Sequence, residues 1–338
     1  MFFEGIQIVL LIVFSIFVVF LVAIAIRALQ MKNRRGFINS LSNATIIIIA
    51  SVLYVFKSEQ LEQPFLSFPF DLILIGHFLL MIGVQEIYIY RVKKDKNRLK
   101  KDEKIIKSNK EFKIEQETGR KALHLLGFLL IPPYFGLGIW YYNVIQGILQ
   151  YFNISVLKIP PDLIPQTIAF LGILTALIFV LVPEIYRMYN NEYCLLKRFM
   201  SFLREDELYA VGPHVNMITG MLIPIILIPE PFLAEGTMLS GIIADGVSSI
   251  VGKKWGKLEF NKKNHKKVEG LISGTFTSFI TAFVFFVFQY SVFESTIYSI
   301  VLCIIFAIID FVPLGISDNI LTPVVSGLSI SFVNFYFF

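Results

Sequence analysis

A chain of 338 residues that is 56% hydrophobic, with a mean hydropathy of +0.71, is excluded from the ordinary water-soluble enzymes. Its net charge of +5 says little, because Lys and Arg gather in a few loops, and no nucleic-acid partner is implied. The two cysteines, Cys194 and Cys303, lie far apart without metal-ligand spacing, so packing roles are expected and no oxidising compartment is indicated.

Apolar runs near or above the ~18–20 residues needed to cross a bilayer recur along the chain, predicting an all-α polytopic integral membrane protein. Gly5 to Ile26 is apolar all round. The opening MFFEGIQ has no positive n-region, and Arg27, Lys32, Arg34 and Arg35 follow the run. A retained first span with its far end in the cytoplasm is therefore expected. A weaker run covers Phe37 to Phe56, a mildly acidic outer link follows, and Phe70 to Tyr90 makes a third span. Residues 91–121 are the most charged stretch and are expected to lie against anionic head groups.

The chain re-enters at Leu123 to Trp140, where Pro132-Pro133 should interrupt the helix. Arg120 and His124, four residues apart, would share one helix face there, beside Lys121. Residues 143–165 read as a polar or re-entrant outer link, and Ile168 to Val182 as the core of a fifth span. Glu184, Arg187, Lys197, Arg198, Arg204, Glu205 and Glu207 then predict an amphipathic surface helix, with Glu184 and Arg187 either salt-bridged or functional. Five more spans are expected: near Tyr209 to Pro229, Phe232 to Val251, Leu271 to Tyr290, Ile297 to Leu314, and Ile320 onward.

Charge supports the count of ten. With the N-terminus outside, the inner loops fall at 27–36, 91–121, 184–208, 252–269 and 315–319, and the first four carry nearly all the Lys and Arg. The same topology puts four polar clusters, far apart in sequence, on the cytoplasmic face.

One of those clusters runs from Ala244 to Gly274. It starts with Asp245 inside an apolar run, sets Gly252 and Gly256 around Lys253 and Lys254, passes Lys266 and Lys267, and closes on Glu269-Gly270. Carboxylates suit a divalent cation, glycines let backbone approach a bulky ligand, and clustered Lys offset phosphate charge. The stretch is not a Walker A motif, since Leu258 follows Lys257 where Ser or Thr is needed. A basic turn at the head-group level is the plain alternative. Asp318-Asn319 before Pro323 would cap the last helix or supply oxygen to a metal. Asp310 is a second costly acid in a span, without an assigned partner. His77 and His214 show no partner and predict packing or surface roles.

Taken together, these residues resemble the CTP-dependent polyprenol kinases, the family of dolichol kinase and phytol kinase. The resemblance rests on Arg120-Lys121 with His124, Glu184 with Arg187, Arg204 with Glu207, the Asp245 to Gly270 series, and Asp318-Asn319 with Pro323. It covers a catalytic domain at 115–338, after N-terminal helices and a basic linker at 1–114. Val268 stands where the family usually has Thr or Ser.

The resemblance implies γ-phosphate transfer from CTP to a dolichol-type alcohol at the cytoplasmic face of a membrane. That membrane would be the endoplasmic reticulum in a eukaryote and the plasma membrane in a prokaryote. It also implies Asp245, Glu269, Arg120 and His124 as catalytic groups. Gly252, Lys253, Lys254, Gly256, Lys266, Lys267 and Gly270 would bind nucleotide, and Asp245, Asp318 and Asn319 would bind Mg²⁺. Lys121, Glu184, Arg187, Arg204 and Glu207 are secondary candidates. Diacylglycerol kinase or cytidylyltransferase chemistry, and an anionic-lipid transporter, are the alternatives. The identity of the lipid and the oligomeric state stay open at this point.

Overall fold

The computed structural model describes residues 5–61, 65–66, 68–94, 119–120, 131–154, 159–196, 203, 207, 210–261, 266–312 and 314–337. Nearly all of them are helical: α1 (Gly5–Gln30), α2 (Arg34–Gln60), α3 (Phe70–Lys94), α4 (Ile131–Tyr134), α5 (Leu137–Tyr151) and α6 (Ile164–Tyr189). Then come α7 (Pro213–Leu227), α8 (Pro231–Trp255), a hairpin of β1 (Glu259–Asn261) and β2 (Lys266–Lys267), α9 (Val268–Phe286), α10 (Val292–Phe311) and α11 (Asp318–Phe337).

Seven helices among the described residues are long and apolar enough to cross a membrane. They answer to the expected spans one, two, three, five, eight, nine and ten. The expected sixth is α7, of only 15 residues. The seventh is α8, whose 25 residues would reach about 37 Å but carry too many polar groups for a lipid-facing helix. The expected fourth span lies partly outside the described residues, as do 95–118 of the basic linker, and with them the expected domain boundary at 114 and 115.

The helices divide into two compact units, one of residues 1–120 and 171–219 and one of 121–170 and 220–338, with boundaries inside α6 and α7. In the first, α1 and α2 pack along their length. The Asn33 side chain caps α2 by accepting the Gly36 N–H at 2.9 Å. The weak hydropathy of α2 has a physical reason. Its polar residues Asn39, Ser40 and Asn43 are buried within the unit, and Asn43 donates to Asn216 Oδ1 at 2.6 Å.

Two expectations are corrected along α5 and α6. Residues 137–151, expected mostly as a link, are helical, and the break falls at Phe135-Gly136 rather than at the two prolines. The turn forms there because Gly136 adopts φ +37°, which other residues resist. Further on, α6 does not stop at Pro183. It continues to Tyr189, so Glu184 and Arg187 lie within a long apolar helix and not on a surface helix.

In the second unit α8 is the central element, packed against α9, α10 and α11. The α8–α9 contact is built on small residues. Gly270, Gly274, Ser278 and Ala282 recur every four residues on the buried face of α9. A Cβ at Gly270 would stand 2.7 Å from the Ser248 carbonyl oxygen, and one at Gly274 would stand 2.7 Å from Ser248 Cβ. Such a stripe brings two backbones close and gains van der Waals contact where lipid offers no hydrophobic drive. Gln166 closes another account in this unit. Its amide donates to the Ile225 and Ile226 carbonyls at 2.7 and 3.0 Å, two of the acceptors that the end of α7 leaves unpaired.

Candidate functional site

The expected basic loop between α8 and α9 is an antiparallel hairpin, with Glu259 opposite Lys267 and Asn261 opposite Lys266. Successive strand residues point to opposite sides, so the two lysines part company. Lys267 crosses to Glu259 at 3.0 Å. Lys266 turns toward the helix ends. Its ammonium donates to Asp310 Oδ1 at 2.7 Å, to the Asp310 carbonyl at 3.0 Å and to Asp318 Oδ2 at 3.0 Å. Phe260 stacks on Phe311 with centroids 5.3 Å apart, fixing the hairpin over the end of α10.

Lys266 is the partner that sequence reasoning did not find for Asp310. Nothing local signals a contact across 44 residues. The Asp310 carboxylate also accepts from Ser248 Oγ at 3.4 Å. Asp245, three residues before Ser248 and so on the same helical face, is close enough for its charge to act on Asp310. A side chain at neighbouring Gly246 would meet nothing within 4 Å. Burial works against the Lys266 charge, but Asp318 and Asp310 outweigh it and hold the ammonium pKa above the ordinary lysine value. Two carboxylates, Asp310 and Asp318, thus hold one ammonium at a place only partly closed to solvent, with Asp245 near Asp310.

The other expected site residues are placed as follows. Glu269 accepts the Lys257 and Leu258 backbone N–H groups at 2.8 and 3.2 Å, holding the turn after α8. Gly252 and Gly270 face each other across the α8–α9 contact, and a Cβ at Gly256 would stand 2.6 Å from Lys267 Cβ. The close approach at these glycines is therefore between parts of this chain. Lys253 and Lys254 are exposed, Lys254 lying 4.8 Å over the Trp255 ring. Asn319 is half-buried beside Asp318 in the first turn of α11. Lys121, His124 and Arg204 lie outside the described residues, as do Lys197, Arg198 and Glu205.

The remaining candidates gather in the first unit. Arg187 binds Glu184 through two nitrogens at 2.9 and 2.7 Å and also donates to the Ala210 carbonyl. Glu184 accepts the Gly212 N–H at 3.2 Å, and His214 Nε2 stands 3.6 Å from its other oxygen. His214 therefore has the partner that the sequence did not reveal, while His77 lies 3.1 Å from the Thr175 carbonyl. Arg120 reaches Glu207 at 3.4 Å.

Magnesium commonly keeps waters and takes one or two protein carboxylates together with nucleotide phosphates. Among the described residues no cluster of three or more His, Cys, Asp or Glu side chains would hold a metal alone. The half-exposed Asp318 carboxylate beside Lys266 fits an ion that arrives with phosphate.

Compared with protein-family models, curated proteins and solved structures, the chain matches none. Composition and helices define a multi-pass, all-α membrane protein.

Proposed function

We propose that this protein is an integral-membrane lipid kinase that moves the γ-phosphate of CTP to the hydroxyl of a polyprenol-type alcohol, releasing CDP. The observation that carries the reading is the Lys266–Asp310–Asp318 cluster with Asp245 beside it, an acid-rich, half-open group at the ends of apolar helices. Ionisable groups at the ends of apolar helices are costly to place there and commonly mark functional sites. The choice of CTP and of a prenol rests on the resemblance of the Asp245 to Gly270 series to the polyprenol kinases.

Phosphoryl transfer asks mainly for positioning and charge neutralisation. In this reading the alcohol oxygen forms a bond to the γ-phosphorus, the bond to the β-phosphate oxygen breaks, and Asp245 takes the alcohol's proton. Asp318 and Asn319 would hold Mg²⁺, which offsets phosphate charge. Lys266 fixes the two carboxylates it bridges, and exposed Lys253, Lys254 and Lys257 draw the polyanionic nucleotide to the hairpin. Glu269 acts at one remove, by holding the Lys257–Leu258 backbone. Ten spans with this cluster facing the cytoplasm complete the proposal.

The test uses purified protein in detergent with Mg²⁺, a panel of prenols and diacylglycerol, and CTP labelled at the α or γ position. Passage of the γ label into a prenol is the expected result. Passage of the α label would mean cytidylyl transfer, and no passage of either, with ATP also inactive, would remove the enzyme reading.

A further inference from the structure

Glu235 lies ten residues before Asp245, about 15 Å along α8, and takes no part in the chemistry above. It is fully buried, and among the described residues neither carboxylate oxygen has a hydrogen-bond partner. Tyr134, 2% exposed, likewise has a hydroxyl without a partner among the described residues. Phe135, the residue after Tyr134, packs edge-on against Phe232 with centroids 4.7 Å apart, which sets the end of α4 beside the first turns of α8 that carry Glu230 and Glu235, and both charges act on the Tyr134 hydroxyl. Glu230 stands at the start of α8 and contributes a buried oxygen, Oε2, again without a partner among the described residues.

An ionised carboxylate left alone inside a bilayer-spanning bundle is costly, by roughly 2.5–3.5 kcal/mol even on lenient insertion scales. Burial without a partner is therefore evidence that something neutralises it. The chemistry available is oxygen only: two carboxylates that accept, and a phenol that both accepts and donates. Among the described residues no hydrogen bond or ion pair brings a cation to Glu235. The helix packs closely at this level, since a Cβ on adjacent Gly236 would come within 2.4 Å of the Phe286 ring. A bulky ligand does not suit such a place, and an anion would be repelled.

We propose that Glu235, Tyr134 and Glu230 form a binding site for one monovalent cation, a proton or a sodium ion, inside the second unit. The titratable groups around it are Tyr134 from α4, Glu230 at the start of α8 and, from the α9–α10 side, Tyr290 and Tyr298, on which the Glu230 and Glu294 charges act. The site stands independently of the phosphoryl-transfer reading.

The full-length protein in detergent is treated with dicyclohexylcarbodiimide, which reacts with protonated carboxyls in apolar surroundings, and the modified residues are mapped by mass spectrometry. Labelling is followed against pH and against NaCl replaced by choline chloride at constant ionic strength. Labelling of Glu235 that falls as pH rises and ignores sodium identifies the proton. Labelling suppressed by sodium, together with a sodium-dependent rise in melting temperature that Glu235→Gln abolishes, identifies sodium. Tyr134→Phe should weaken either response several-fold while leaving the protein folded. If Glu235 is never labelled and melting of the wild type and of Glu235→Gln responds identically to sodium and pH, the proposal is overturned.

Discussion

Two ion-pair clusters in this protein look alike in composition and differ in what they leave open. In the first unit Glu184 and Arg187 are closed off, with side chains 3% and 0% exposed and nearly every polar atom engaged by His214, Gly212 or a backbone carbonyl. In the second, Lys266 and Asp318 remain 24% and 38% exposed, and one ammonium bridges Asp310 and Asp318, with Asp245 near Asp310. A closed, balanced pair fixes structure. An open one has capacity for a ligand. That contrast places the functional proposal at Lys266 rather than at Arg187, although the sequence made both candidates.

The largest expected effect comes from breaking the closed pair. Arg187→Ala leaves Glu184 buried and uncompensated and should cost about 3–5 kcal/mol, read as a large drop in melting temperature or loss of folded protein. Next, Lys266→Met or Asp310→Asn should lower γ-phosphate transfer by about 100-fold or more while changing melting much less than Arg187→Ala does. Equal effects on melting from the two clusters would erase the distinction. Gly270→Leu should cost about 1–3 kcal/mol by forcing α8 and α9 apart, with activity per folded molecule falling as the hairpin shifts.

Acidity offers a finer test. The Lys266 pKa is held above its ordinary value, so its stabilisation is fully present below the unfolded lysine pKa and is lost only as pH rises through the higher folded one. A pH series of melting temperature should therefore lose the Lys266 contribution only in the alkaline range, and Lys266→Met should remove that loss. The smallest effect is expected at the surface: Lys254→Ala, which loses only contact with Trp255, should shift stability by no more than about 0.5 kcal/mol.

Much of this architecture is legible in the residues themselves. Uninterrupted apolar runs give α1, α3, α9, α10 and α11 within a few residues, because only a helix satisfies every backbone group in lipid. Where polar residues face protein rather than lipid, the reading weakens. The buried asparagines of α2 lower its hydropathy, and Pro183 suggests an end to α6 that packing overrides. Contacts distant in sequence carry no local mark, which is why Asp310 had no partner until Lys266 was placed beside it. Two further signals stand in the sequence. The four-residue repeat of Gly270, Gly274, Ser278 and Ala282 announces a helix seam, and Glu235 within the seventh run is an acid that the proposed chemistry does not need.

The most direct measurement of the central claim is transfer of γ-labelled phosphate from CTP to a prenol, by wild type and by Asp310→Asn protein matched for folded content. Labelled lipid phosphate from the wild type, reduced about 100-fold or more in the variant, is the expected result. Equal transfer by the two proteins, or none by the wild type with any prenol, would contradict the account.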